Sequence, residues 1–186
     1  MNKIGRYTLQ QLEEKDLIQI LEWRNGDHVK QYMYTDHTIT WEEHTRWYEK
    51  TKEDSTQKVL LLFYEDKPIG LVSFKQIDEI NSHCYWGFYI GDLTAPKGSG
   101  TALGILALDY MFKKAGVEKV HAEVIETNVR SYHFHEKLGF AYEGKLIEPI
   151  YKNGQYVDVL KMGLIAEKWF QIRGKLVKQL KEGWSS

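Results

Sequence analysis

The stretch Pro96-Lys97-Gly98-Ser99-Gly100-Thr101-Ala102, running on into Leu103-Gly104-Ile105-Leu106-Ala107-Leu108-Asp109-Tyr110-Met111-Phe112-Lys113-Lys114, decides how the rest of this 186-residue chain is read. Glycines at 98 and 100 admit backbone conformations closed to other residues, so several N–H groups can converge on one point. A helix beginning there adds its unpaired first-turn donors and the positive end of its dipole. Together they form a seat for phosphate oxygens. Two lysines in the last turn and Gly116 just beyond predict where the helix stops. Two common phosphate sites are excluded by spacing. Leu103 stands where a Gly-x-Gly-x-x-Gly dinucleotide turn needs its third glycine, and no Gly-Lys-Ser/Thr follows as a P-loop requires.

Outward from that turn, 42% hydrophobic and 27% charged residues describe a chain that builds a substantial core. The length suits one domain over residues 1–186, with 167–186 as a helical extension. A net charge of −1 lacks the basic excess of a nucleic-acid footprint. The single cysteine, Cys84, allows no internal disulfide and suits a reducing compartment. No basic segment followed by an apolar run predicts a secretory signal, and no apolar stretch approaches the ~20 residues of a membrane span.

In chain order, Ile4–Leu9 reads as a strand, Glu14–Trp23 as a helix broken at Arg24-Asn25-Gly26-Asp27, and His28–Tyr34 as a second helix. Thr40 and Glu43 form a capping box for a third helix reaching about Lys52. Lys58–Glu65, Ile69–Ile77 and His83–Gly91 read as an antiparallel meander, its first turn at Asp66-Lys67-Pro68. Lys119–Thr127 is a strand with Val120, Ala122 and Val124 on one side and His121, Glu123 and Ile125 on the other. Asn128 opens a helix stopped by Gly139. Phe140–Tyr151 and Gln155–Ile165 form a hairpin around Asn153-Gly154, and Glu167–Lys181 is an amphipathic helix.

This order resembles the GCN5-related N-acetyltransferase (GNAT) fold: α/β (α+β), a mixed, mostly antiparallel sheet splayed in the middle and flanked by helices. In that family an Arg/Gln-x-x-Gly-x-Gly/Ala turn holds the pyrophosphate of coenzyme A. Here Lys97-Gly98-Ser99-Gly100-Thr101-Ala102 is similar to it, with lysine in the first place. A second mark, Asn128-Val129-Arg130-Ser131-Tyr132-His133-Phe134-His135-Glu136-Lys137-Leu138-Gly139-Phe140, resembles the family's Asn-x-x-Ala/Ser-x-x-x-Tyr-Glu-Lys-x-Gly-Phe segment. The resemblance implies acetyl-CoA as co-substrate, no metal, Asn128 and Ser131 beside the cofactor, and a pantetheine arm laid in the splay. Backbone N–H groups near Tyr89 and Ile90 would then polarise the acetyl carbonyl.

The family's tyrosine before Glu-Lys protonates the departing thiolate, and this chain has His135 there. An imidazolium is a competent acid for a thiolate, and it would bring the alkaline limb of activity toward pH ~7. Tyr132, one turn earlier, is the alternative acid. Glu123, a carboxylate in mid-strand, is the candidate base, directly or through a water that Ser73 could hold.

Leu21-Glu22-Trp23-Arg24-Asn25, Val29-x-x-Tyr32-Met33-Tyr34 and Ile39-Thr40-x-Glu42-Glu43-His44-x-x-Trp47 resemble the pseudaminic-acid pathway N-acetyltransferases. That resemblance implies a UDP-linked 4-amino-4,6-dideoxy-N-acetyl-altrosamine as acceptor, in a cytoplasmic pathway feeding flagellin or surface glycosylation. Arg24 can fork onto a diphosphate, Met33, Tyr34 and Tyr85 can sandwich a uracil, and His44 lies one turn from Trp47. Neither nucleic acid nor membrane is expected as a partner, and the last helix is a candidate homodimer contact. The rival readings are a ribosomal-protein N-terminal or polyamine acetyltransferase, and a non-catalytic coenzyme A-binding module.

Overall fold

A computed structural model of the chain describes residues 3–182. Seven strands form one sheet in the order β1-β2-β3-β4-β5-β7-β6: β1 Tyr7–Gln11, β2 Lys58–Tyr64, β3 Lys67–Asp78, β4 His83–Ile90, β5 Lys119–Ile125, β6 Ala141–Lys152 and β7 Gln155–Ile165. All neighbours run antiparallel except β4 and β5. That parallel pair is joined only from His83–Trp86 to Lys119–Ala122. Beyond it each strand stays bound to its other neighbour, Gly87–Ile90 to β3 and Glu123–Ile125 to β7, and the two edges part. Alternate N–H and C=O groups along those edges are therefore left without a strand partner.

Period-2 alternation divides the core between the two faces. On one face, Leu60, Leu62, Val72, Phe74, Val120, Ala122 and Val124 pack with α4, Ser99–Asp109, which is apolar all round and buried. On the other, Val59, Leu61 and Leu71 meet Leu17, Ile20 and Trp23 of α1, Leu17–Asn25. The helices α2 Asp27–Lys30, α3 Trp41–Glu53 and α5 Val129–Lys137 complete the surroundings of the gap. The capping box at α3 is formed as expected, with Glu43 N–H on Thr40 Oγ1 and Thr40 N–H on the Glu43 carboxylate.

Several boundaries differ from the sequence reading. The first strand begins at Tyr7, after a 3-10 turn over Lys3–Arg6. The expected helix from Glu14 opens as a 3-10 turn and becomes α-helical at Leu17, and the helix expected to Tyr34 ends at Lys30. The β2–β3 turn is Glu65-Asp66, while Lys67 and Pro68 already pair within the sheet. Beyond Asp109 the helix widens into a π turn over Tyr110–Lys114, closed by Ala115 N–H on Tyr110 C=O, and Gly116 at φ +70° ends it. The tail helix α6, Ala166–Glu182, inserts Trp169, Leu176 and Leu180 into the main core. Its apolar face is thus used within this chain; residues 183–186 of the expected extension lie outside the described residues. Among the described residues, no helix is long and apolar enough to cross a membrane.

Candidate active site

The parting of β4 and β5 opens a cleft of about 580 Å³ whose wall carries residues from both faces of the sheet. The turn before α4 lies against α5, whose Ser131 and His135 line this cleft. Gly98 has φ +95°, a left-handed conformation that glycine adopts without strain. Ser99 is consumed in building the turn. Its N–H and hydroxyl both donate to Pro96 C=O, and its oxygen meets the Tyr7 hydroxyl at 3.2 Å. Ala102 N–H is likewise bound, to Gly98 C=O. The N–H groups of Gly100 and Thr101 meet no acceptor among the described residues, so they and the helix dipole are what the turn offers an anion. Lys137 reaches across from α5 to Thr101 Oγ1 at 3.1 Å, and Lys97 is exposed beside the turn.

On the α4 side of the sheet, His135 is 4% exposed among the rings of Trp86, Phe88, Phe134 and Phe140. Its Nδ1–H donates to Ser131 C=O at 2.7 Å, which leaves the lone pair on Nε2. Burial lowers its pKa to about 4, against a smaller opposite effect of that bond. The ring is therefore neutral at pH ~7, and the imidazolium acid expected from the sequence is not present there. Tyr132 stands edge-on to His133 and is not part of the cleft wall. Asn128 caps α5 through Oδ1 on Ser131 N–H, and both residues line the cleft.

On the α1 side, Glu123 accepts hydrogen bonds from the Lys161 ammonium at 2.6 Å and the Tyr34 hydroxyl at 2.7 Å. Partial burial would raise its pKa, but the bonds from Lys161 and Tyr34 outweigh it and hold the carboxyl below its ordinary range. Lys161 also donates to the Tyr85 hydroxyl at 3.3 Å and lies 4.7 Å from the centroid of that ring. Tyr85 stacks on His121 at 4.8 Å, so its ring is already engaged and does not stand free to sandwich a base. Met33 and Tyr34 line the cleft, and Ser73 donates to Gly87 C=O at 3.3 Å beside them.

Arg24, at the last turn of α1, donates through Nη2 to the Thr35 hydroxyl, while its buried Nη1 meets no acceptor among the described residues. Burial lowers its pKa. His44 is 4% exposed, donates Nε2–H to Leu17 C=O at 3.0 Å and stacks on Trp47. Burial lowers its pKa as well, so it lines the site as a neutral ring. Lys161 was missed by sequence reasoning. Its signal was a lone cation in an apolar strand, legible only once the register set it opposite Glu123.

A sheet parted between neighbouring strands, with unbonded helix-start amides in the turn before α4, is the arrangement that the GNAT resemblance implies. The chain belongs to the acetyltransferase (GNAT) family, whose domain matches residues 9–160. Spermidine N(1)-acetyltransferase of Vibrio cholerae is 29% identical over 166 residues, 89% of this chain and 96% of that protein. Acetyltransferase PseH of Campylobacter jejuni is 30% identical over 131 residues, 70% of this chain and 80% of that one. The structure of the V. cholerae spermidine N-acetyltransferase with CoA and spermine superposes with a TM-score of 0.83 at 28% identity, over 89% of this chain and 99% of that chain. This chain is accordingly an acetyl-CoA-dependent N-acetyltransferase, and both the turn amides and the open strand edges fit that co-substrate.

Proposed function

We propose that the protein acetylates the 4-amino group of a UDP-linked 4-amino-4,6-dideoxy-N-acetyl-altrosamine, a cytoplasmic step of pseudaminic-acid assembly. The observation that carries this reading is the charge state of the α1 half of the cleft. Its two carboxylates are already partnered, Glu123 by Lys161 and Tyr34, and Glu43 by Thr40 N–H and His37. Arg24 lines the same space, and a buried nitrogen of its guanidinium meets no acceptor among the described residues. With Arg24, Lys75 and the Lys161 that pairs Glu123 set against the carboxylates of Glu43 and Glu123, the wall carries more positive than negative groups, which favours a diphosphate over a polycation.

In this reading the Gly100 and Thr101 amides hold the pyrophosphate of acetyl-CoA, and the open edge of β4 takes the pantetheine arm as an added strand. An N–H near Tyr89 or Ile90 polarises the thioester carbonyl. The amine enters on the α1 side, where ionised Glu123 orders the water that removes its proton. The C–N bond forms as the C–S bond breaks, and the sulfur departs toward His135. A thiol of pKa ~8.5 leaves readily as thiolate, which water then protonates; the neutral His135 ring packs beside it, and its Nε2 lone pair can accept a hydrogen bond from the thiol so formed.

A second reading, spermidine as acceptor, is favoured by the extent of the match to spermidine acetyltransferases. Calorimetric titration of the CoA-loaded protein with UDP separates the two. Binding of UDP that disappears in Arg24→Gln supports the nucleotide-sugar reading. Binding of spermidine with none of UDP supports the second.

A further inference from the structure

We propose that Lys152, at the tip of the β6–β7 hairpin, is a positioning residue for the acceptor, because its ammonium fixes the loop that forms one wall of the cleft. A lysine that is 5% exposed needs a reason, since the charged group seldom leaves water unpaired. Here the reason is a match of donors to acceptors. Nζ carries three N–H groups. It points them at three backbone carbonyls, of Met33 at 2.8 Å, Lys30 at 3.3 Å and Thr35 at 3.5 Å. The next residue adds a fourth tie, Asn153 N–H donating to the Asp36 carboxylate at 3.2 Å. Burial lowers the Lys152 pKa, and Asp36 offsets part of that effect.

The loop so held runs between α2 and α3 without helix or strand, and most of it is exposed. Little apolar burial fixes its shape, so polar ties must. Tyr32, Met33, Tyr34 and Thr35 of this loop all line the cleft. On its inner side Tyr34 reaches Glu123 and Thr35 meets Arg24. Lys152 grips the same few residues from outside. The hairpin tip, itself outside the wall, therefore sets where the Tyr34 hydroxyl and the Arg24 guanidinium stand. This inference rests on the reading that the α1 side of the cleft receives the acceptor.

The test uses Lys152→Met, which keeps an apolar stem and removes all three donors, and the milder Asp36→Ala, which removes only the exposed fourth tie. Loss of such bonds should speed amide hydrogen exchange of residues 31–36 by about tenfold in Lys152→Met. The KM for UDP-4-amino-4,6-dideoxy-N-acetyl-altrosamine, or for spermidine if that is the amine accepted, should rise by about tenfold, while the Kd for acetyl-CoA stays within about twofold. Asp36→Ala should move the same quantities in the same direction by about twofold, which decides the matter if Lys152→Met does not fold. Faster exchange with an unchanged amine KM overturns the proposal, as does an amine KM that rises only in step with the acetyl-CoA Kd. If the wild type accepts neither amine, the acceptor reading fails by itself, and unchanged exchange at 31–36 would still overturn the role of Lys152.

Discussion

His135 occupies the place where a general acid was expected, and its burial among aromatic rings disfavours the charge that role needs. The segment around it placed the residue correctly in the sequence, but protonation state depends on neighbours that arrive from β4 and from Phe140. Trp86 and Phe88 close over the ring only when the sheet forms. General acid catalysis contributes about 10²–10⁴-fold, so a true acid at this position would be costly to remove. Here His135→Phe should keep kcat within about tenfold of wild type in a thiol-release assay. The ring's folded pKa of about 4 lies below its ordinary 6.5, so the unfolded chain binds the proton more readily. Stability then falls as pH drops from about 6.5 toward about 4, by roughly 3 kcal/mol from this residue. Thermal melts should show a steeper loss below pH ~6.5 in wild type than in His135→Phe. At Glu123 the pKa is lowered as well, but there it is the charged form that is favoured, because the bonds from Lys161 and Tyr34 outweigh burial. Lys161→Met should therefore shift the acid limb of kcat/KM to higher pH, with the limb unmoved if Glu123 takes no part.

At the scale of the element, the glycine turn and α4 were legible because their signals are local: glycine, a helix start, an apolar helix and Gly116. The π turn at 110–114 was not, since nothing in Tyr110–Lys114 distinguishes it from a continuing α-helix. The two turn glycines also differ in a way only coordinates reveal. Gly98 needs its positive φ, where another residue costs about 1–2 kcal/mol. A Cβ at Gly100 would meet only Phe134 Cε2 at 3.8 Å, an ordinary contact. Gly98→Val should therefore lower both Tm and acetyl-CoA affinity. Gly100→Val should leave Tm nearly unchanged yet weaken acetyl-CoA strongly, because a branched side chain beside the Gly100 and Thr101 amides would hinder the pyrophosphate proposed to bind them. Lys97→Ala should raise the acetyl-CoA KM by no more than about fivefold. A Gly100→Val protein with unaltered affinity would show that these amides do not hold the pyrophosphate.

Across the whole molecule, the alternation in β5 and the meander sufficed for the architecture, since each depends on a period the sequence displays. Glu123 was singled out as a carboxylate in mid-strand. Its partner Lys161 comes from β7, and the tie between Lys152 and the 31–36 loop joins residues far apart in the chain. Neither contact has a local signature. The same holds for α6, whose amphipathic stripe fitted an outside surface as well as the core it fills with Trp169. What the assembled molecule adds is an account of charge: the acceptor side holds paired carboxylates and an unpaired guanidinium nitrogen. The direct measurement is the rate of thiol release from acetyl-CoA with a UDP-linked 4-amino-sugar, spermidine and a peptide amino terminus supplied in turn. The nucleotide sugar should exceed both others in kcat/KM by about 100-fold or more. Spermidine turning over as fast as the sugar, or faster, would contradict the account.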